Sequence, residues 1–217
     1  MKPLSLFLAF SVGVAAVLGA VAPDRPALAA PATPATTAPA APKLHAAMRS
    51  LWQGHIQHTR AYAMAVKAGD AAAAAKAADD VVANARQIAG AVGGFYGDAA
   101  GAQMLQLLAG HWGGVKAMTD AAKAGDGAAK KKAMDDLTAN ASAIAVFLSG
   151  ANPNLPADAV RGLMMTHVGH HAAQIDEIMR GDTKGEATTW AAMQQHMDTL
   201  ADALSGAIAK QFPAKAT

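Results

Sequence analysis

The sequence predicts an all-α fold: a six-helix up-and-down bundle built from three αα-hairpin repeats of 56 residues. Three observations predict it. Residues 55–89 align with 111–145 without a gap, giving 18 identities in 35. Nine of these are alanines; the other nine include His55/His111, the Gly-Asp pairs 69–70 and 125–126, Asp79/Asp135, Asp80/Asp136 and Asn84/Asn140. A third, more divergent copy keeps His167 and Gly181-Asp182 in the same register. Self-similarity at a fixed period means one supersecondary unit used repeatedly. The composition agrees, being rich in alanine, leucine, methionine, glutamine and lysine and poor in β-branched residues.

Residues 1–29 read as a signal peptide. Met1-Lys2 gives a short positive region, Leu4 to Ala22 is almost purely apolar, and Ala27-Leu28-Ala29 offers an A-x-A cleavage site. A single lysine without an Arg-Arg pair favours general secretion over the twin-arginine route. The alternative is an uncleaved membrane anchor, since the apolar run approaches spanning length. The mature chain is expected to be periplasmic or secreted and to contain no membrane span. Residues 30–42 are a Pro/Ala/Thr-rich linker, expected to be extended. The helical domain occupies 43–213, followed by a tail at 214–217.

Without Lys2, Asp24 and Arg25 the chain keeps 16 basic and 15 acidic residues, a net charge of +1. Such a balance argues against a nucleic-acid surface or polybasic membrane binding. Cysteine is absent. That excludes disulfide staples, thiolate metal sites and haem attached through C-x-x-C-H.

The first helix is predicted from about Pro42 to Ala68, with Leu44, Met48, Leu51, His55, Thr59, Tyr62 and Val66 on one stripe. Its copies carry His111 and His167 in the same place. The second helices carry Asn84, Asn140 and His196, each interrupting an apolar stripe. Gly69-Asp70, Gly125-Asp126 and Gly181-Asp182 are hairpin tips: glycine closes one helix and aspartate caps the next. Gly97-Asp98 and Asn152–Pro156 mark turns at the opposite end.

The six polar residues are spaced 29, 27, 29, 27 and 29 apart, each pair symmetric about its turn. With tight turns, an up-and-down bundle brings all six to one layer near mid-height. A buried polar layer is costly unless its members find partners. One account is transition-metal binding, copper before zinc, since neutral imidazoles meeting at one height are suitable ligands and no cysteine competes. His55, His111, His167 and His196 would be the ligands. His58, His170 and His171 would be accessory ligands, and Asn84 and Asn140 would orient imidazoles from behind. Met164, Met165, Met193 and Met197 flank the third set, although methionine is also ordinary core filler. No Asp or Glu falls on these core faces, which argues against a di-iron centre.

The second account is a structural or partner-binding bundle in which the layer only sets helix register. A third is binding of a small ligand or non-covalent haem, with Tyr62, Trp52, Trp112 and Trp190 lining a cleft and Trp52 near the surface. No catalytic signature occurs: there is no G-x-S-x-G, no Walker loop and no paired carboxylates on a core face. The chain therefore reads as non-enzymatic. Asp79-Asp80 and Asp135-Asp136 fall on solvated faces, where Arg60 and Arg86 could pair with them. Whether the helices close into a ring or stack as an open array is left open by the sequence.

The runs Leu51-Trp52-x-x-His55-x-x-x-Thr59-Arg60, Phe95-Tyr96-Gly97, Asn140-Ala141, Ala151-Asn152-Pro153-Asn154 and Gln211-Phe212-Pro213 resemble a family of uncharacterised, secreted, all-helical bacterial proteins. The resemblance covers about residues 44–213. Some members carry the labels glycosyltransferase or acetylglutamate kinase, and neither fits an export signal followed by a small helical bundle. The resemblance implies that positions 55, 84, 111, 140, 167 and 196 matter, and that His58, His170 and His171 depart from the family pattern. It implies a fold and a compartment and no activity.

Overall fold

The computed structural model describes residues 41–216, so the proposed signal peptide and nearly all of the linker lie outside the described residues. Within that span the chain forms six helices: α1 (Pro42–Ala68), α2 (Ala71–Tyr96), α3 (Asp98–Ala124), α4 (Gly127–Ala151), α5 (Ala157–Arg180) and α6 (Thr183–Gln211). The lengths and turns are compatible with three hairpins of equal size.

Cap chemistry explains the boundaries. Gly69, Gly125 and Gly181 adopt φ of 75°, 69° and 74°, a left-handed conformation that a Cβ disfavours. There they return their N–H groups to the last carbonyls of α1, α3 and α5. Asp70, Asp126 and Asp182 then accept a hydrogen bond from the N–H three residues on, each at 2.9 Å. One dipeptide thus ends a helix and begins its neighbour.

The opposite end is tied by side chains. The Tyr96 hydroxyl donates to Gln211 Oε1 at 3.0 Å and accepts from Asn152 Nδ2 at 2.9 Å. Gln211 Nε2 in turn donates to Ala151 O at 3.1 Å. The ends of α2, α4 and α6 are joined in this way.

Each helix packs on its sequence neighbours, and α1 also packs on α6, so the ring is closed. In addition α1, α3 and α5 pack on one another. The architecture is therefore an inner trio of odd-numbered helices, with each even-numbered helix seated outside a pair of them. This division was not anticipated: six equivalent helices would have presented six polar residues alike to one layer. The core between them is aliphatic and methionine-rich, and Met104, Met118, Met193 and Met197 are all fully buried, the core-filler role expected of most methionines.

Two expectations about charge are corrected. Arg60 does not pair with the acidic doublets. Its guanidinium donates to Glu186 through Nε and Nη2, at 2.6 and 2.8 Å, and lies 4.9 Å from the Trp190 ring centre. Asp80, Asp135 and Asp136 instead pair with Lys76, Lys131 and Lys132 one turn before them. Glu186 is itself buried, contrary to the expectation that core faces carry no acid; Gln174 also donates to it at 3.0 Å. A carboxylate with three donors can be buried at tolerable cost. Trp52, expected near the surface, is buried.

At the α3–α4 seam a glycine of one helix lies directly against a core leucine of the other. A Cβ on Gly114 would stand 2.7 Å from Leu137 Cγ, and Leu137 is completely buried. Overpacking costs about 1–3 kcal/mol, which outweighs the ~1 kcal/mol gain in helix propensity. Gly114→Ala is expected to lower the urea midpoint, by about 1 kcal/mol net in stability. An unchanged or raised midpoint would mean that Leu137 can shift at no cost.

Candidate metal centre

Because α1, α3 and α5 form the inner trio, their layer histidines converge on the axis. The ring centres of His55, His111 and His167 stand 5.7, 5.5 and 5.4 Å apart, close to an equilateral triangle. His171, one turn further along α5, sits beside all three, at 5.8 Å from His55, 5.7 Å from His111 and 4.3 Å from His167. All four are at most 3% exposed. One ring nitrogen from each lies within 4.8 Å of the others. These four buried histidines could form a metal site.

Their nitrogens are poorly satisfied by the protein. His167 Nε2 and His171 Nε2 face each other at 3.0 Å. His55 Nε2, His167 Nδ1 and both nitrogens of His111 have no hydrogen-bond partner within the protein. Buried polar atoms ordinarily find partners, so a cluster of orphaned lone pairs and N–H groups asks for an explanation.

Burial also fixes the charge state. It lowers His55 to about 3, helped by repulsion from His111 and His58. It lowers His111 to about 4, against a smaller upward pull from the Asn140 side chain. His167 and His171 are pushed well below the usual imidazole range, again by burial first and by neighbouring histidines second. At neutral pH the group is four uncharged imidazoles, the form that offers lone pairs to a metal.

The even helices contribute something different. Asn84 Nδ2 donates to Leu51 O at 3.0 Å, and Asn140 Nδ2 donates to Leu107 O at 3.0 Å. His196 Nε2 donates to Leu163 O at 2.9 Å, which makes Nε2 the protonated nitrogen. Each carbonyl belongs to the residue four before a layer histidine, so it is also the helical acceptor for that histidine's N–H. The three bonds pin the outer helices to the inner ones at the height of the cluster. Gly54 and Gly110 make room for this: a Cβ on either would sit 3.0 Å from the asparagine Nδ2.

Of the predicted ligands, the structure brings together His55, His111 and His167. It does not place His196 in the group; its ring lies 6.4 Å from that of His167, stacked at 15°, on the α5–α6 seam. His171, expected only as an accessory, is the fourth member. The signal for it was present: His167 and His171 form an i, i+4 pair on one helical face. His58 lies on the α1–α2 side with Nδ1 3.9 Å from Asp80. His170 lies against His196, with ring centres 5.3 Å apart. Asn84 and Asn140 bond leucine carbonyls, and their amide oxygens are buried without a partner. Asn140 is still close enough to His111 to affect its proton affinity. The Arg60–Glu186–Gln174 network was missed, because nothing in sequence spacing links α1, α5 and α6.

The sign of the pH dependence follows. Each cluster histidine binds a proton less readily folded than unfolded, where the ordinary value is about 6.5. The contribution to stability is complete above that value and is lost as pH falls through 6.5 towards 4 and then 3. The metal-free protein is expected to lose roughly 1.4 kcal/mol per pH unit for each histidine involved, starting before carboxylates titrate. Urea midpoints at pH 8, 6, 5 and 4.5 would show it, and a flat series across this window would contradict it. In comparison with known proteins, no family model, no curated protein and no solved structure matches the chain.

Proposed function

We propose that the protein is an exported, non-catalytic binder of a transition-metal ion, copper before zinc, held by His55, His111, His167 and His171. The observation that supports this is the group of four buried, neutral imidazoles in which His55 Nε2, His167 Nδ1 and both nitrogens of His111 have no partner in the protein. A tetrahedral ion bound at ~2.0–2.1 Å needs ligand nitrogens about 3.3 Å apart. The rings would close by about an ångström or somewhat more from their present spread to provide this. Four protein ligands leave no open position for substrate, which suits storage or transfer better than hydrolysis.

Charge argues for copper. The group contains no carboxylate, and Glu186 is already committed to Arg60 and Gln174. An ion here keeps its full charge in apolar surroundings. Since the solvation penalty grows as the square of the charge, Cu(I) would incur roughly a quarter of the cost of Zn(II). For the divalent ions, nitrogen ligands favour Cu(II) over Zn(II) in any case. The compartment rests on residues 1–29 of the sequence.

The second reading, a polar layer that only sets register, draws on the three bonds to leucine carbonyls. Those bonds are made by Asn84, Asn140 and His196, and do not need the inner four. Haem has less support: the apolar cavity between Met48, Trp52, Val92, Met104 and Leu204 offers about 20 Å³, room for one water-sized occupant. Tyr62 and Trp112 are packed on each other with ring centres 5.0 Å apart, and Trp190 is covered by Arg60.

Titration with Cu(I), Cu(II) and Zn(II) tests the proposal. The parent is expected to take up one equivalent with sub-micromolar affinity, and saturation at 100 times Kd should add about 2.7 kcal/mol of stability. The His111→Ala/His167→Ala variant should lose both effects. Unchanged affinity in that variant would remove the site, and no binding in the parent would favour the register reading.

A further inference from the structure

We propose that His170 and His196 form an outer metal site on the α5–α6 seam, from which an ion passes to the buried four-histidine group. The inference rests on the reading of the core as a metal centre. A hydrated ion must exchange its costly-to-remove water for protein ligands on the way to a group that is at most 3% exposed. It needs ligands at the boundary that replace water before the core does.

Residues at 56-residue spacing show where such ligands stand. The α1–α2 seam carries His58 and Asn84, the α3–α4 seam Gly114 and Asn140, and the α5–α6 seam His170 and His196. Two imidazoles meet on the third seam alone. Asparagine is sufficient for the bond to the leucine carbonyl, as positions 84 and 140 show. The imidazole at 196 therefore brings a capacity that the helix contact does not require. Because Nε2–H is donated to Leu163 O, Nδ1 keeps its lone pair. A histidine held by a backbone carbonyl at one nitrogen and free at the other has the arrangement of a metal ligand.

His170 supplies the second donor. Its ring stands 5.3 Å from that of His196 at 71°, and its Nδ1 is buried without a hydrogen-bond partner. Both residues are half-buried, between solvent and the core. His196 is stacked in turn on His167, a member of the core group. The half-buried His170 and His196 and the buried His167 thus stand in succession towards the centre.

Co(II) is a suitable probe, because its visible absorption is intense when four-coordinate and weak when six-coordinate. The variants are His196→Asn, which places there the residue found at 84 and 140, and His170→Gln, which removes a ring whose Nδ1 has no hydrogen bond to lose. Folding of each is checked by circular dichroism. On rapid mixing, the parent is expected to develop the intense band, and both variants to reach the same final intensity at least tenfold more slowly. Equal rates in parent and variants would overturn the proposal. Loss of the final band in the variants would make the pair part of the core centre, and would also overturn it. If the parent shows only a weak six-coordinate band that both variants lose, the outer site stands and the core reading fails. A parent that binds no Co(II) overturns the outer site, and the core reading then stands or falls by the Cu(I) titration.

Discussion

The rest of this structure depends on keeping four imidazoles buried. Taking such groups out of water is unfavourable unless something replaces the lost hydrogen bonds. Here the protein replaces few of them: one nitrogen–nitrogen contact links His167 and His171, and several ring nitrogens have no partner. The surrounding shell must hold the group in place, and its construction shows how. Three helices meet at the axis, three more cover the gaps between them, and contact between α1 and α6 closes the last gap. An open array would have left His55 facing solvent.

Position and chemistry are assigned to different residues. Asn84, Asn140 and His196 fix the height of the outer helices by bonding carbonyls that belong to the inner ones. The four inner histidines take no part in those bonds. Towards the tips, Arg60, Gln174 and Glu186 join α1, α5 and α6, where a buried carboxylate is neutralised by the groups that surround it. Charge is thus admitted to the interior where it is paired, and the histidine group is left neutral.

Much of this was legible in the sequence, and the reasons are specific. The 56-residue period and the Gly-Asp tips gave the helix boundaries, because left-handed glycine and an aspartate cap are local events that nearby residues decide. The symmetric spacing of His55, Asn84, His111, Asn140, His167 and His196 gave the height of the layer. It did not give its inside and outside. Height follows from counting along a helix, whereas which helices are inner follows from how six cylinders pack, and equal amphipathic stripes do not encode that. His196 was therefore placed among the ligands and His171 at their edge, when the packing reverses the two. Arg60 and Glu186 are 126 residues apart, and their pairing appears only once α1 and α6 are side by side.

The exchange of His196 for His171 has a geometric reason. Three equivalent helices around an axis can present three equivalent ligands, and the triangle of His55, His111 and His167 does so. A tetrahedral set needs a fourth ligand near the axis itself, one turn above the triangle. Only one side chain of that size can occupy the axis, so the three copies cannot all supply it. The residues at the position of His171 in the other copies are Thr59 and Val115, both buried. Thr59 turns its hydroxyl back to His55 O and Ile56 O on its own helix, and Val115 is apolar. Neither competes for the axis, and α5 alone fills it. A three-plus-one arrangement arises where one of three similarly placed helices departs from the other two at the position one turn along. The departure at position 171 is then the residue that would turn a shared polar layer into a coordination set.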